Sequence, residues 1–94
     1  MARATFNGQT IAESNDTVVI ESNHYFPMDS IDRQFLRDSD VKTTCPWKGE
    51  ASYFDVVVGD QTAEYAAWYY PTAKDAAKDL EGRVAFWRGV EVTE

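Results

Sequence analysis

The chain has 94 residues, of which 44% are hydrophobic and 14% aromatic, and its formal net charge is −7. This length predicts a single domain over residues 1–94 with a small core, and the hydrophobic content argues against a disordered chain. The acidic balance, with no Lys/Arg cluster to offset it, argues against binding to nucleic acids or to anionic membranes.

The first quarter of the chain predicts a three-stranded β meander. Asn7 and Gly8 stand between two β-compatible runs, and such a pair favours a two-residue hairpin turn because both positions tolerate positive φ. Asn15 and Asp16 predict a second turn, and Thr17–Glu21 has the composition of a third strand.

Two short helices are predicted further along the chain. Pro27 disfavours helical backbone at the residue before it, and the apolar spacing after it predicts a helix over Ser30–Leu36. The second helix is predicted over Ala73–Leu80, with Thr72 as its N-cap and Gly82 at its end.

The remaining segments predict strands and tight turns. They are an extended Thr43–Cys45, a turn at Pro46–Gly49, a strand over Glu50–Val58, a turn at Gly59 and Asp60, a strand over Ala63–Tyr70, and a final strand over Arg83–Val92 that is kinked at Gly89. The whole chain therefore predicts a mainly-β domain of about seven or eight short strands with two short helices.

Short motifs spread along the chain resemble one known family. NG-x-x-IA-x-S, YFP-x-D, CPWKG-x-A-x-Y, AAWYYP and VAFW occur in this order, and they resemble domain-of-unknown-function family 427. The resemblance covers about residues 6–92, and its most specific part is the segment T-x-CP-[aromatic]-KG, which spans Thr43–Gly49. It implies an Mss4-like β-fold and establishes no activity.

The resemblance also bears on metals. The Mss4-like group includes methionine-R-sulfoxide reductases, and many of its members hold a structural zinc ion with two CxxC pairs. This chain has one cysteine and one histidine, so the zinc site does not carry over. The family has carried a nucleotidyltransferase label, but the chain lacks the Gly-Ser and paired-Asp arrangement that would hold two metals on a triphosphate. We therefore expect no metal and no cofactor.

Cys45 and Lys48 are the candidate catalytic residues. A nucleophilic cysteine needs its thiolate form, which a nearby cation favours, and Lys48 lies across the same turn. The competing interpretation of Cys45 is a packed core thiol or a thiol that lines a pocket, because free cysteines are often buried and no second cysteine is present to resolve a sulfenic acid. Lys48 either contacts an anionic ligand or pairs with one of the many carboxylates.

His24, Tyr25 and Asp29 precede the first predicted helix. A histidine near neutral pH can act as a general base. The simpler interpretation is a solvent-exposed loop histidine, because the resembling motif contains Tyr25 and Asp29 but not His24.

The strand over Ala63–Tyr70 predicts an aromatic face. Alternation places Glu64, Ala66, Trp68 and Tyr70 on one side of the sheet, and Tyr65, Ala67 and Tyr69 on the other. The rings either fill the interior or line a pocket. The candidate ligand-binding residues are Trp47, Lys48, Tyr53, Glu64, Trp68 and Tyr70.

The preferred function is the binding of a small, anionic molecule in this aromatic-lined pocket beside the CPWKG turn. One alternative is an enzyme that uses Cys45 or Lys48 in covalent or redox chemistry, with Tyr53, Tyr70 or Asp29 as proton carrier. Another is a protein-interaction module with exposed aromatic side chains and an acidic surface.

Partners and location follow from simpler features. No apolar run approaches the roughly 20 residues of a membrane span, and Met1–Ser14 lacks the apolar region of a signal peptide. A lone thiol suits a reducing compartment, so we expect a cytoplasmic protein. We also expect a monomer or weak homodimer with no nucleic-acid or membrane partner.

Overall fold

The computed structural model describes every residue from Met1 to Glu94. Its strands are β1 (Ala2–Phe6), β2 (Gln9–Ser14), β3 (Val18–Ile20), β4 (Asn23–Tyr25), β5 (Leu36–Cys45), β6 (Gly49–Val58), β7 (Gln61–Tyr69), β8 (Val84–Phe86) and β9 (Glu91–Thr93). Short 3₁₀ helices span Met28–Ser30, Arg33–Phe35 and Asp75–Leu80. Strands hold 57% of the residues and helical turns 13%, which confirms the predicted mainly-β class. None of the helices has the length and hydrophobicity that crossing a membrane requires.

The strands form three antiparallel sheets. The first has the order β2-β1-β9, the second pairs β3 with β4, and the third has the order β5-β6-β7-β8. The long strands β5, β6 and β7 make the third sheet the main framework of the domain.

The first hairpin forms where the sequence predicts it. Asn7 and Gly8 join β1 to β2 with φ values of 50° and 75°, which confirms the predicted two-residue turn. The predicted three-stranded meander is wrong, because β3 pairs with β4 and the other edge of β1 pairs with β9. The C-terminal end of the chain therefore takes the place that the third strand was expected to fill.

The predicted helix over Ser30–Leu36 is wrong in type. Two 3₁₀ helices flank Ile31, which is extended and forms a β-bridge with Ala12. The next residue, Asp32, donates its backbone N–H to the carbonyl of Ile11 at 2.8 Å. Ile31 is also buried in the core, so pairing with β2 and burial together override the local helical pattern.

The second predicted helix is shorter and differently capped. The 3₁₀ helix begins at Asp75, its N-cap is Lys74, and Ala77 has non-helical backbone angles. Thr72 does not cap it. Instead, Glu81 accepts a hydrogen bond at 2.8 Å from the backbone N–H of Ala73.

The predicted final strand is divided into β8 and β9, which belong to different sheets. Arg88 and Gly89 both have positive φ, at 54° and 97°, and they turn the chain out of the third sheet. The turn closes with a hydrogen bond from Val90 to the Trp87 carbonyl at 3.2 Å. The sequence therefore locates the break correctly, although its consequence is a change of sheet rather than a kink.

Two hydrophobic clusters lie on opposite faces of the third sheet. The larger contains fourteen residues and packs β1 and β2 against the inner face of β6, β7 and β8. The smaller contains seven residues, among them Tyr25, Tyr70 and Leu80. Tyr25 and Phe26 are adjacent and both fully buried, and they belong to the smaller and the larger cluster respectively.

Candidate functional site

A cavity of about 200 Å³ lies on the face of the third sheet that carries the smaller cluster. Its lining residues are Lys48, Tyr53, Trp68, Tyr70 and Trp87. Four of the six residues that the sequence proposes for ligand binding are therefore brought together. Antiparallel pairing explains part of this, because Tyr53 on β6 is directly opposite Trp68 on β7.

Trp68 is the best-anchored ring of the cavity. Its Nε1–H donates to the hydroxyl of Tyr25 at 3.2 Å, and the two rings are perpendicular with centroids 6.1 Å apart. Tyr25 is fully buried below it. A buried tyrosine needs a hydrogen-bond partner, so this contact satisfies both polar groups and fixes the orientation of the indole.

Trp87 is a cavity residue that the sequence pattern did not indicate. The residue is 43% exposed, and its ring stands at 82° to that of Trp68, with centroids 5.9 Å apart. Its Nε1–H donates to the Tyr65 carbonyl at 2.7 Å, and its backbone N–H donates to Ala66 at 2.8 Å. The signal that could have found it is alternation from Ala85, which pairs with Trp68 across β7 and β8.

Tyr65 lies on the cavity side, where strand alternation did not place it. Its φ is 40°, and the pairing of β6 with β7 shifts register nearby. The ring consequently packs 6.5 Å from Tyr53 and 6.4 Å from Trp87, between centroids. Asp55 stabilises this bulge by accepting the Tyr65 backbone N–H at 2.8 Å.

Glu64 and Trp47 do not line the cavity. Glu64 is exposed, and its backbone carbonyl accepts a hydrogen bond from Arg88 Nε at 3.0 Å. Trp47 is 39% exposed, and its ring centroid is 5.0 Å from the Lys48 ammonium. Trp47 therefore contacts Lys48 without lining the cavity, and Glu64 contributes no polar group to the cavity.

The turn that carries Lys48 is braced by the segment before the last 3₁₀ helix. Cys45 pairs with Gly49 across the turn, and Lys74 donates its backbone N–H to the Lys48 carbonyl at 2.9 Å. The Lys74 ammonium also donates to the Pro46 carbonyl at 2.6 Å. The backbone of Lys48 is thus held at a defined position beside the cavity.

Lys48 is a nearly buried cation with an anionic partner. Its side chain is 7% exposed, its Nζ donates to the Glu21 carboxylate, and it lies 5.9 Å from the centre of the Tyr70 ring. Burial alone lowers the pKa of Lys48, but the hydrogen bond to Glu21 and nearby tyrosines outweigh it, so the pKa is raised above its ordinary value. Lys48 is therefore an ammonium at neutral pH, and a protonated amine is not a nucleophile.

Tyr70 is a neutral hydrogen-bond donor in the same cavity. Burial raises its pKa to about 12, and the opposing effect of the Lys48 charge is smaller. At neutral pH the phenol keeps its proton. Tyr70 can therefore donate a hydrogen bond to an acceptor in the cavity.

Cys45 is half-buried and packs against the smaller hydrophobic cluster, outside the cavity lining. We expect Cys45 to react slowly with a thiol reagent in the native protein and rapidly in denaturant. A time course of labelling followed by mass spectrometry measures both rates. Rapid native labelling at pH 6 would contradict the packed-thiol interpretation and favour an activated cysteine.

The other candidates from the sequence lie apart from the cavity lining. His24 shares a hydrogen bond with Thr17 through Nδ1 at 2.8 Å, and its Nε2 is 3.5 Å from Glu94. Asp29 lies in the first 3₁₀ helix. No group of three or more His, Cys, Asp and Glu side chains is arranged to hold a metal ion.

Comparison with known proteins identifies the family of the chain. A search of curated proteins found no match to it. A family model described as a domain of unknown function, DUF427, matches residues 1–94. Because this match spans the full sequence, the chain belongs to the DUF427 family.

Proposed function

We propose that the cavity binds a small aromatic molecule that bears an anionic group. The observation that supports this proposal is the lining itself, which combines one nearly buried ammonium with four aromatic side chains. Sites for small molecules are typically apolar with a few placed polar groups. In this arrangement the rings contact the planar part of the ligand, and Lys48 contacts the anion.

The volume of the cavity favours a small ligand. About 200 Å³ is below the roughly 300–1,000 Å³ that is usual for sites of drug-sized molecules. A one- or two-ring compound with a carboxylate suits this space. The perpendicular rings of Trp68 and Trp87 offer both a face and an edge for stacking against such a ring system.

The polar groups of the cavity favour an acceptor on the ligand. The indole N–H groups of Trp68 and Trp87 are already used within the chain. Lys48 has three N–H donors and Tyr70 has one O–H donor, and both side chains remain protonated at neutral pH. An anionic acceptor is therefore the complementary partner.

The enzymatic alternative has less support. Lys48 is held as an ammonium, so a covalent step from its amine lacks the required neutral form. Cys45 lies outside the cavity lining.

The exposed aromatic rings of Trp47 and Trp87 are the basis for the interaction-module alternative, but Trp87 already lines the cavity.

Lys48→Met tests the proposal. With indole-3-carboxylate as probe, we expect the dissociation constant to rise about ten- to a hundredfold, since a hydrogen bond to a charged group is worth about 1.5–3 kcal/mol. The free energy of unfolding should change by no more than about 1 kcal/mol, because methionine keeps the apolar stem and Glu21 remains hydrated. Titration calorimetry and thermal denaturation measure the two quantities.

Lys78→Met is the matched control for charge. Lys78 is an exposed lysine in an ion pair with Glu81, and it lies outside the cavity lining. The Lys78→Met variant should bind indole-3-carboxylate with unchanged affinity. Probe binding that is unaffected both by Lys48→Met and by Trp68→Ala would place the binding site elsewhere and overturn the proposal.

A further inference from the structure

Glu21 is held in an unusual backbone conformation at the tip of the β3–β4 hairpin. The turn between the paired Ile20 and Asn23 consists of Glu21 and Ser22, with φ values of 54° and 67°. Such positions favour glycine or asparagine, and a glutamate there has a conformational cost. Strained residues of this kind often persist where they serve a function.

The Glu21–Lys48 ion pair is asymmetric. The Lys48 side chain is 7% exposed, whereas the Glu21 side chain is 57% exposed. Lys48 is also positioned without Glu21, because its turn is braced by Lys74 and its ammonium lies near the rings of Trp47 and Tyr70. Separation of the pair would therefore release the exposed Glu21 carboxylate into water and leave Lys48 beside the cavity on its braced turn.

We propose that Glu21 is an internal competitor for Lys48: its carboxylate neutralises Lys48 in the empty cavity and is displaced by the anionic group of the bound molecule. This inference rests on the proposed function. The central event of binding is then the exchange of the Glu21 carboxylate for the carboxylate of the ligand at the Lys48 ammonium. A neutral aromatic molecule binds against the rings and leaves the ion pair in place, so competition with Glu21 weakens the binding of anions only.

A purely positioning role for Glu21 leads to the opposite result. If Glu21 were needed to hold Lys48 in place, its removal would weaken binding of an anion. If Glu21 instead competes with the anion, its removal strengthens binding. The direction of the change in affinity therefore separates the two roles.

The experiment compares wild type, Glu21→Gln and Glu13→Gln by titration calorimetry. The probes are indole-3-carboxylate and its neutral analogue, indole-3-carboxamide. Glu13 is the matched control because it forms an exposed ion pair with Arg3 on the first sheet. We expect Glu21→Gln to tighten the binding of indole-3-carboxylate about tenfold and to leave the binding of indole-3-carboxamide unchanged. We expect Glu13→Gln to change the affinity for neither probe.

A second measurement reports on displacement directly. With ¹³C-labelled glutamate, the Glu21 carboxyl resonance of the wild type should shift when indole-3-carboxylate is added and should stay in place with indole-3-carboxamide. If the wild type binds the carboxylate but Glu21→Gln leaves the affinity unchanged or weakens it, the role of Glu21 is overturned and the proposed function stands. If Glu13→Gln gains as much affinity for the carboxylate as Glu21→Gln does, the role of Glu21 is also overturned. If neither wild type nor Glu21→Gln binds the carboxylate, both proposals are overturned.

Discussion

Gly49→Ala is expected to lower the free energy of unfolding by about 3–4 kcal/mol. Gly49 has a φ of 119°, which L residues rarely adopt, and an added Cβ would lie 3.1 Å from the carbonyl oxygen of Thr72. Backbone strain of this kind costs about 1–3 kcal/mol, and the close contact adds to it. Thr72 cannot move away easily, because Lys74 is bonded to the Lys48 carbonyl at 2.9 Å.

Gly59→Ala is the matched control for this change. Gly59 also has a positive φ, 62°, but no atom lies within 4 Å of the position that an added Cβ would take. Gly59→Ala should therefore lower the free energy of unfolding only by the cost of the positive φ, about 1–2 kcal/mol. Thermal denaturation resolves the difference, since each kcal/mol shifts the melting temperature of a domain this size by about 4–8 °C. Equal losses in the two variants would show that the contact with Thr72 has no energetic role.

Under the proposed function, the CPWKG turn combines an architectural requirement with a ligand-binding one. Gly49 is required by the backbone that packs against Thr72, independently of the proposed ligand binding. Lys48 is not required by the turn, because its contacts to the neighbouring segment are made by backbone atoms. On the proposed function, the Lys48 ammonium lies among these aromatic rings because it contacts the anionic group of the ligand.

Local signals in the sequence predict the parts of the fold that local geometry decides. The hairpin at Asn7 and Gly8 and the turn at Gly59 are of this kind, because residues that tolerate positive φ specify the turn directly. Local geometry does not decide the pairing of β9 with β1 or the bridge from Ile31 to Ala12. They depend on segments that are distant in the sequence, and no local pattern contains their partners.

The same division applies to the candidate site. Alternation along β7 correctly places Trp68 and Tyr70 on one face, but it fails at Tyr65, where a bulge reverses the direction of the side chain. Trp87 depends on the pairing of β8 with β7, which the sequence alone does not specify. Glu21 meets Lys48 only because a separate hairpin folds over the turn, so sequence reasoning could predict the cation but not its partner.

Phe26→Ala is expected to have the largest effect on stability, with a loss of about 3–5 kcal/mol. Phe26 is fully buried in the larger cluster, and its ring meets Phe86 edge-on with centroids 5.6 Å apart. Removing a buried phenylalanine costs both transfer free energy and a cavity. Since domains have only about 5–15 kcal/mol of stability in total, urea denaturation should detect this loss clearly.

Phe26→Leu is the control, and it should cost less, about 1–2 kcal/mol, because leucine refills part of the space. In both variants the two backbone hydrogen bonds that join residue 26 to Val84, at 2.8 and 2.9 Å, can still form. They hold β4 beside β8, so Tyr25 remains below Trp68 on the opposite face of the sheet. Folded Phe26→Leu should therefore bind indole-3-carboxylate with unchanged affinity. A variant that keeps its stability but loses the probe would show instead that the larger cluster, and not only Tyr25, determines the shape of the cavity.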